Sequence, residues 1–392
     1  MLKAGRQIDC EVFVVDNCST DGSESYLSAK FPGIHFRWNK TNAGFGKASN
    51  SVLAEVQGEH ILFLNPDTII PEDCFTKCLA FFKTHPDCGA LGVRMLDGSG
   101  NFLKESKRGL PSAWGSFFKL TGLARIFSSS KTFAQYYAGH LPEKQNCQVE
   151  VLAGAFMMLS KKAILATGGF DEDFFMYGED IDLSYRVSKA GMVNYYFADT
   201  TIIHFKGEST QKFSSKYLEH FYGAMELFVK KHGAPNSKNL RLILLAIRAN
   251  KALAGMKKRS KIKQPSKHGL MTAIVASQQV FTECVSLVKH ASLPVLLVGR
   301  IAPEPRDKQT AIGDVTRLKE TITVNKVEQV IFCEADLSFQ KIIHAVETNR
   351  GKASFLFHGK GSQSIVGSND KNNTGLFMAL PEGDPHSATT PE

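Results

Sequence analysis

Between Glu11 and Met95, short apolar runs of strand character take turns with helical stretches. Strands are expected at Glu11–Val15, Ile34–Trp38, His60–Leu64 and Ala90–Met95. Helices are expected at Ser23–Lys30, Phe45–Val56 and Phe75–Lys83. Strands separated by helices form βαβ units, and these build a mostly parallel sheet. Such a sheet presents ligands at the carboxyl ends of its strands. The polar clusters fall at those ends: Asp16-Asn17 after the first run, Asn65-Pro66-Asp67 after the third.

Residues 101–150 mix aromatic and basic side chains, among them Lys107, Arg108, Trp114 and Tyr136. They read as an insertion covering a site or as an irregular packed segment. Val151–Ser160 returns to strand character, Glu179–Ala190 reads as a helix, Val193–Phe197 and Thr201–Phe205 as short strands, and Ser214–Lys231 as an amphipathic helix. Beyond residue 268 the alternation restarts. Met271–Ala276, Val295–Val298, Val330–Cys333 and Ser354–Phe357 are expected strands; Val280–His290, Val315–Val324 and Phe339–Thr348 are expected helices. The expected organisation is one α/β domain over 1–235, a basic amphipathic helix and linker over 236–268, a smaller Rossmann-like α/β domain over 269–380, and a disordered tail over 381–392.

Charge sharpens this division. The chain carries 47 Lys and Arg against 38 Asp and Glu, a formal net charge of +9. Leu240–His268 holds Arg241, Arg248, Lys251, Lys257, Lys258, Arg259, Lys261, Lys263 and Lys267 and no acidic residue. The excess therefore sits in that stretch, and the remainder is neutral. A basic, partly apolar stretch suits a helix lying on an anionic bilayer surface. It equally suits a solvated helix and linker joining two domains. Nucleic acid is a poorer partner, since aromatics do not interleave and no reading module is recognisable. With 43% hydrophobic and 22% charged residues, disordered, collagen-like and coiled-coil classes are excluded for most of the chain. No apolar run approaches the ~20 residues of a membrane span. The eight scattered cysteines form no CxxC pair, as expected of a reduced, intracellular chain.

Four clusters can carry chemistry. In Val15-Asp16-Asn17-Cys18-Ser19-Thr20-Asp21-Gly22, a strand ends on a carboxylate and a helix then starts among small polar residues. Such a turn can offer a carboxylate, Asp16, to a base N–H, and hydroxyls or amides such as those of Ser19 and Asn17 to a ribose or phosphate; it can also be a plain helix cap. In Asn42-Ala43-Gly44-Phe45-Gly46-Lys47, the glycines permit close backbone approach at a helix start, or simply a tight loop. Asn65-Pro66-Asp67 places an oxygen ligand at a strand edge, where a hard divalent cation with diphosphate needs one. Gly169-Phe170-Asp171-Glu172-Asp173-Phe174-Phe175-Met176-Tyr177-Gly178-Glu179-Asp180-Ile181-Asp182 sets acidic residues among aromatics. With a helix starting near Glu179, the carboxylates of Glu179, Asp180 and Asp182 lie in its first turn, where one can stay ionised as a base. Aromatics such as Tyr177 can exclude water and stack on a sugar ring. His204, at the end of Thr201-Ile202-Ile203, becomes a credible metal ligand alongside Asp67.

In this order and spacing, the motifs VVDNCSTDGS, NAGFGKASN, LNPDT and GGFDEDFFMYGEDIDLSYR resemble glycosyltransferase family 2, with its nucleotide-sugar-binding GT-A fold, from about Asp9 to Lys231. The likeness is to bacterial rhamnosyltransferase-like members that build surface polysaccharides. It implies an inverting transfer from a nucleoside-diphosphate sugar to a glycan or lipid-linked acceptor at the cytoplasmic face of a membrane, with a divalent metal, Mg²⁺ or Mn²⁺. It implies Asp16 at the nucleotide base, Asp67 and His204 at the metal, and Asp180 as catalytic base. Asn17, Ser19, Asp21, Asn42, Gly44 and Asn65 would line the nucleotide sugar. Glu179, Asp182 and Tyr177 would orient acceptor or donor hydroxyls.

The family opens with a strand, a Tyr-Asn-type turn and a helix ahead of the VVDN strand. Only ten residues precede Glu11 here, so that first strand is expected to be missing. The alternative reading is therefore a non-catalytic binding module. The second domain more weakly resembles the nucleotide-binding-like domain attached to some polysaccharide sugar transferases, through Ile312-Gly313-Asp314-Val315 and Val327–Phe332. Its first strand runs into Ala276-Ser277-Gln278-Gln279 without a GxGxxG fingerprint, which favours a regulatory or partner-docking role over a bound dinucleotide.

Overall fold

In a computed structural model the described residues are 1–110, 138–205, 215–233, 244, 247–248, 251, 269–289, 295–307, 309–362, 364–368 and 376–379. Most of the basic stretch and of the 101–150 insertion, and the expected tail, lie outside them. The first domain comprises α1 (Leu2–Gly5), β1 (Phe13–Asp16), α2 (Ser23–Lys30), β2 (His35–Trp38), α3 (Phe45–Asn50), β3 (His60–Leu64), β4 (Thr68–Ile69), α4 (Cys74–Thr84), β5 (Cys88–Leu96), β6 (Lys107–Arg108), β7 (Cys147–Gln148), β8 (Val151–Leu152), β9 (Phe156–Ser160), α5 (Lys161–Thr167), α6 (Glu179–Lys189), β10 (Val193–His204) and α7 (Ser215–His232). The second comprises β11 (Leu270–Val275), α8 (Gln278–Lys289), β12 (Val295–Ala302), β13 (Ala311–Asp314), α9 (Leu318–Val324), β14 (Gln329–Cys333), α10 (Phe339–Thr348), β15 (Ser354–His358), β16 (Ser364–Gly367) and β17 (Leu376–Ala379).

All nine residues of β5 are buried, because both faces of the strand are covered. Leu91, Val93 and Met95 face one layer, where α4 brings Cys74, Phe75, Cys78, Phe81 and Phe82 at helical spacing. Ala90 faces the other, with Leu183 and Val187 of α6, Ala163 of α5 and Tyr196. The central ladder, β5 with β10, is parallel from Cys88↔Val193 to Leu96↔Ile203. The strand order is β3-β9-β5-β10-β4, with β7 also on β10. Sequence suggested two strands over 193–205. They are one strand with a register break between Phe197 and Thr201, and such a break bends a strand without ending it. The helix expected to Val56 stops at Asn50, and α5, which sequence reading missed, begins where Ser160 Oγ accepts the Ala163 N–H at 3.2 Å.

β1 and β2 stand apart as a two-stranded parallel sheet, Phe13↔His35 through Asp16↔Trp38. β3 is an edge strand of the main sheet. Glu11 ties the two sheets together, its Oε1 accepting the N–H groups of Gln57 at 2.6 Å and Gly58 at 3.0 Å.

The second domain is a sheet of order β13-β12-β11-β14-β15-β16-β17, with the first five strands parallel. That is the doubly wound order whose ligand crevice opens between β11 and β14. Here Asp336 Oδ2 accepts the Ser277 N–H at the start of α8 at 2.8 Å.

The two domains share a core. Leu96, Ile203 and Phe205, at the ends of β5 and β10, pack with Ile343, Val346, Phe355 and Phe357 of the second domain. Phe205 and Phe357 lie 5.2 Å apart. Glu72 caps α10 by accepting the N–H groups of Phe339 at 2.7 Å and Gln340 at 3.2 Å. Arg94 is only 4% exposed and pairs with Glu143 and with Glu347 of α10. At Gly98 a Cβ would lie 2.1 Å from the Ser368 carbonyl oxygen, so the contact requires a residue without one.

Candidate active site

At the end of β1, Asp16 Oδ2 accepts the Ser19 N–H at 2.8 Å, which closes the turn. Asp21 Oδ1 accepts from Ser23 Oγ at 2.6 Å and from its N–H at 3.1 Å; these bonds hold the Asp21 carboxyl below its ordinary range. Asn17 Nδ2 donates to Asn42 Oδ1 at 2.9 Å and to the Gly44 carbonyl at 3.2 Å, while its Oδ1 accepts the Ala43 N–H at 2.9 Å. The two sequence motifs are thus stitched into one wall. Gly44, at φ +87°, comes so close to the acidic loop that a Cβ would lie 2.5 Å from the Phe175 carbonyl oxygen, and Phe45 N–H donates to that oxygen at 3.0 Å. Asn50 closes the junction: its Nδ2 donates to the Phe170 carbonyl at 2.7 Å and its Oδ1 accepts the Phe170 N–H at 2.9 Å.

The acidic cluster separates into three environments. Asp180 Oδ2 pairs with the Arg108 guanidinium and accepts the Gly154 N–H at 3.1 Å. Among the described residues its Oδ1 has no hydrogen-bond partner. Glu179 Oε2 is buried without a partner in the described protein. Burial, and then the neighbouring Asp180 charge, push the Glu179 carboxyl up to about 8, so it is protonated at neutral pH. Asp182 is fully buried, accepting from Arg186 Nε at 2.6 Å and facing His232 Nε2 of α7 at 2.6 Å. The expectation that Asp182 orients sugar hydroxyls is therefore corrected: the i, i+4 partner Arg186 lies on the inward face of α6 and draws the carboxylate to the interior. Arg186 continues to the carbonyls of Thr167 at 2.6 Å and Gly169 at 2.8 Å.

Tyr177, at φ +69°, sets its ring edge-on to Tyr217 at 5.3 Å and to Phe221 at 6.3 Å. Phe175 stacks on His220 at 5.0 Å, and Lys231 pairs with Asp171 and Asp173. The α7 helix thus covers the loop that carries the acidic cluster. Sequence reading missed Arg108, Gly154 and His232 as parts of the site. The Lys107-Arg108 pair was visible as basic charge before an irregular segment, but nothing local linked it to residue 180.

Asp67 follows β3. Asn65 N–H donates to the Ala155 carbonyl at 3.0 Å, and Phe205 N–H donates to the Asp67 carbonyl at 3.0 Å. β4 pairs Thr68 with His204, which brings His204 Nε2 within 3.2 Å of Asp67 Oδ1. His204 is 7% exposed, and its Nδ1 is buried without a partner in the described protein. Among the described residues no group of three or more His, Cys, Asp or Glu gathers to hold a metal. One carboxylate and one imidazole nevertheless fit a divalent cation that takes its other ligands from diphosphate oxygens and water. The Asn65–Ala155 bond sets this pair beside the 152–154 segment that contacts Asp180.

Residues 2–164 match the family model described as Glycosyl transferase family 2. That stretch is similar to family 2 glycosyltransferases. The chain is 27% identical over 230 residues to the N-acetylglucosaminyl-diphospho-decaprenol L-rhamnosyltransferase of Mycobacterium tuberculosis (strain ATCC 25618 / H37Rv), covering 56% of this chain and 74% of the relative. It is also 27% identical over 180 residues to rhamnosyltransferase WbbL of Escherichia coli (strain K12), covering 44% and 65%. Among solved structures, S. aureus TarS 1–349 in complex with UDP aligns at 19% identity and TM-score 0.39 over 67% of this chain and 70% of that one. GalNAc-T7 with UDP, GalNAc and Mn²⁺ aligns at 12% identity and TM-score 0.37 over 62% of this chain; the alignment spans about half (48%) of that chain. The chain is thus similar to rhamnosyltransferases of that family, and its own architecture is α/β.

Proposed function

We propose that the chain transfers a sugar, with inversion, from a nucleoside-diphosphate sugar to a hydroxyl of a glycan or lipid-linked acceptor, with Asp180 as base. The observation that carries this reading is the Asp180 carboxylate: Oδ2 is held by Arg108 and Gly154 N–H, and Oδ1 is left open. An acceptor hydroxyl must lose its proton as it attacks the anomeric carbon, and Oδ1 takes that proton. The new C–O bond forms opposite the bond to the diphosphate, which leaves with its electron pair. In this reading Asp16, Asn17, Ser19, Asp21, Asn42, Gly44 and Asn65 form the nucleotide-sugar wall. Tyr177 and the protonated Glu179 face the sugars.

Asp67 and His204 would hold a divalent metal, Mn²⁺ or Mg²⁺, whose charge would offset that of the departing diphosphate. The relative from Mycobacterium tuberculosis bears the name of a decaprenol-diphosphate-linked substrate, which supports a lipid-linked acceptor here. A lipid-linked acceptor in turn supports a place at the cytoplasmic face of the membrane, with 240–268 against anionic lipid. No described helix is long and apolar enough to cross a membrane.

The test is a panel of nucleoside-diphosphate sugars with Mn²⁺ or Mg²⁺, reading released nucleotide. Turnover is expected with the whole chain and is expected to fall by about a hundredfold or more in Asp180→Asn. Undiminished turnover in Asp180→Asn would overturn the assignment of the base.

A further inference from the structure

We propose that Arg108 is a positioning residue for the transfer: it fixes the rotation of the Asp180 carboxylate, so that one oxygen is occupied and the other is presented to the acceptor. This rests on the reading of Asp180 as base.

Arg108 reaches the site from β6, a two-residue strand paired to β8 through Lys107↔Leu152 and Arg108↔Val151. It is 9% exposed. Nη2 bridges two groups, the Leu152 carbonyl at 2.8 Å and Asp180 Oδ2. The anchor on Leu152 means that the guanidinium does not follow Asp180; Asp180 follows it. Gly154 N–H meets the same Oδ2 at 3.1 Å, and a Cβ at Gly154 would touch the Asp180 Cβ at 3.3 Å. Two donors from two directions on one oxygen leave the carboxylate a single orientation. Its side chain stays 17% exposed, so the open oxygen reaches the surface.

Charge supports the same role. Among the described residues, the charged and titratable groups facing Asp180 are Arg108 from β6 and Glu179 on its own helix. The β8 side contributes the Gly154 N–H to Asp180 and the Leu152 carbonyl to Arg108. Asp182 is turned away to Arg186 and to His232 of α7. Lys107 points the other way, to the carbonyls of Ala138 and Leu141, and cannot substitute. Of two adjacent carboxyl groups in a partly desolvated pocket, the guanidinium lies on Asp180.

The experiment compares Arg108→Gln and Arg108→Lys with the wild type, using the nucleoside-diphosphate sugar that the wild type turns over fastest with Mn²⁺. In Arg108→Gln, kcat is expected to fall about tenfold or more with donor KM unchanged, because orientation and not donor binding is lost. Arg108→Lys, which keeps a cation beside Asp180, should retain more of the wild-type kcat than Arg108→Gln. A crystal structure of Arg108→Gln should show the carboxylate rotated off Gly154, a readout that needs no turnover.

A folded Arg108→Gln with the wild-type kcat, or with Asp180 still in its wild-type orientation, would overturn the proposal. Failure of the underlying reading is distinguishable: Asp180→Asn would then be active, whatever happens at Arg108.

Discussion

Glu179 and Asp180 are sequence neighbours of similar chemistry that the fold treats oppositely. Asp180 receives a guanidinium and a backbone N–H, whereas the Oε2 of Glu179 receives neither. The raised carboxyl of Glu179 has a stability consequence of definite sign. Between the ordinary Glu value of 4.5 and about 8, the folded state keeps a proton that the unfolded chain has released. Stability therefore falls as pH rises through that window, because the folded state binds more protons. Glu179→Gln mimics the protonated form. It should match the wild type near the bottom of the window and be the more stable at its top, as read by thermal melts across the range. Parallel melting curves for the two proteins at every pH would show that Glu179 is ionised in the fold.

At the scale of elements, α6 is the part that organises the site. It starts after Gly178 at φ +84°, carries Glu179, Asp180 and Asp182 in its first turn, and buries Leu183 and Val187. Its inward side is fastened by Asp182, which links Arg186, the Thr167–Gly169 turn and His232 at the end of α7. Removing that carboxylate leaves a guanidinium partly buried without its counter-charge. Asp182→Ala is expected to cost about 3–5 kcal/mol, measured by chemical denaturation, through the loss of one partner of a buried pair. Turnover remaining in the folded fraction of the variant would agree with a fastening role. Stability within about 0.5 kcal/mol of wild type, the usual surface effect, would refute it.

Over the whole molecule, the second domain is not a bead on a string. Its strands and α10 complete the core at the ends of β5 and β10, and Phe205, one of the residues so packed, directly follows His204. The edge of the Asp67–His204 pair is therefore framed by the second domain as well as by the first. The net charge of +9 resides in 240–268, of which only positions 244, 247, 248 and 251 are described. Ile247 is buried, and Arg248 pairs with Glu226 of α7. The remaining cations are the ones to test. Replacing Lys257, Lys258, Arg259, Lys261 and Lys263 with Gln should release the chain from anionic vesicles, at about 1 kcal/mol per charge lost near the surface. Vesicle binding unchanged by the five substitutions would reduce the stretch to a linker.

Local pattern was sufficient for the elements whose cause is local. Ser23–Lys30, His60–Leu64 and Phe339–Thr348 stand where periodicity and apolar runs place them, and the turns after β1 and β3 carry the polar clusters that sequence marked there. The family, too, was legible in the order and spacing of four motifs. What sequence could not determine depends on pairs far apart in the chain. Arg108 meets Asp180 across 72 positions, Asn17 meets Asn42 across 25, and His232 meets Asp182 across 50. An acidic run in sequence is a set of equivalent carboxylates. Only the tertiary structure distributes burial and counter-charge among them: Asp180 lies against a guanidinium, Glu179 is a neutral acid and Asp182 a buried fastener.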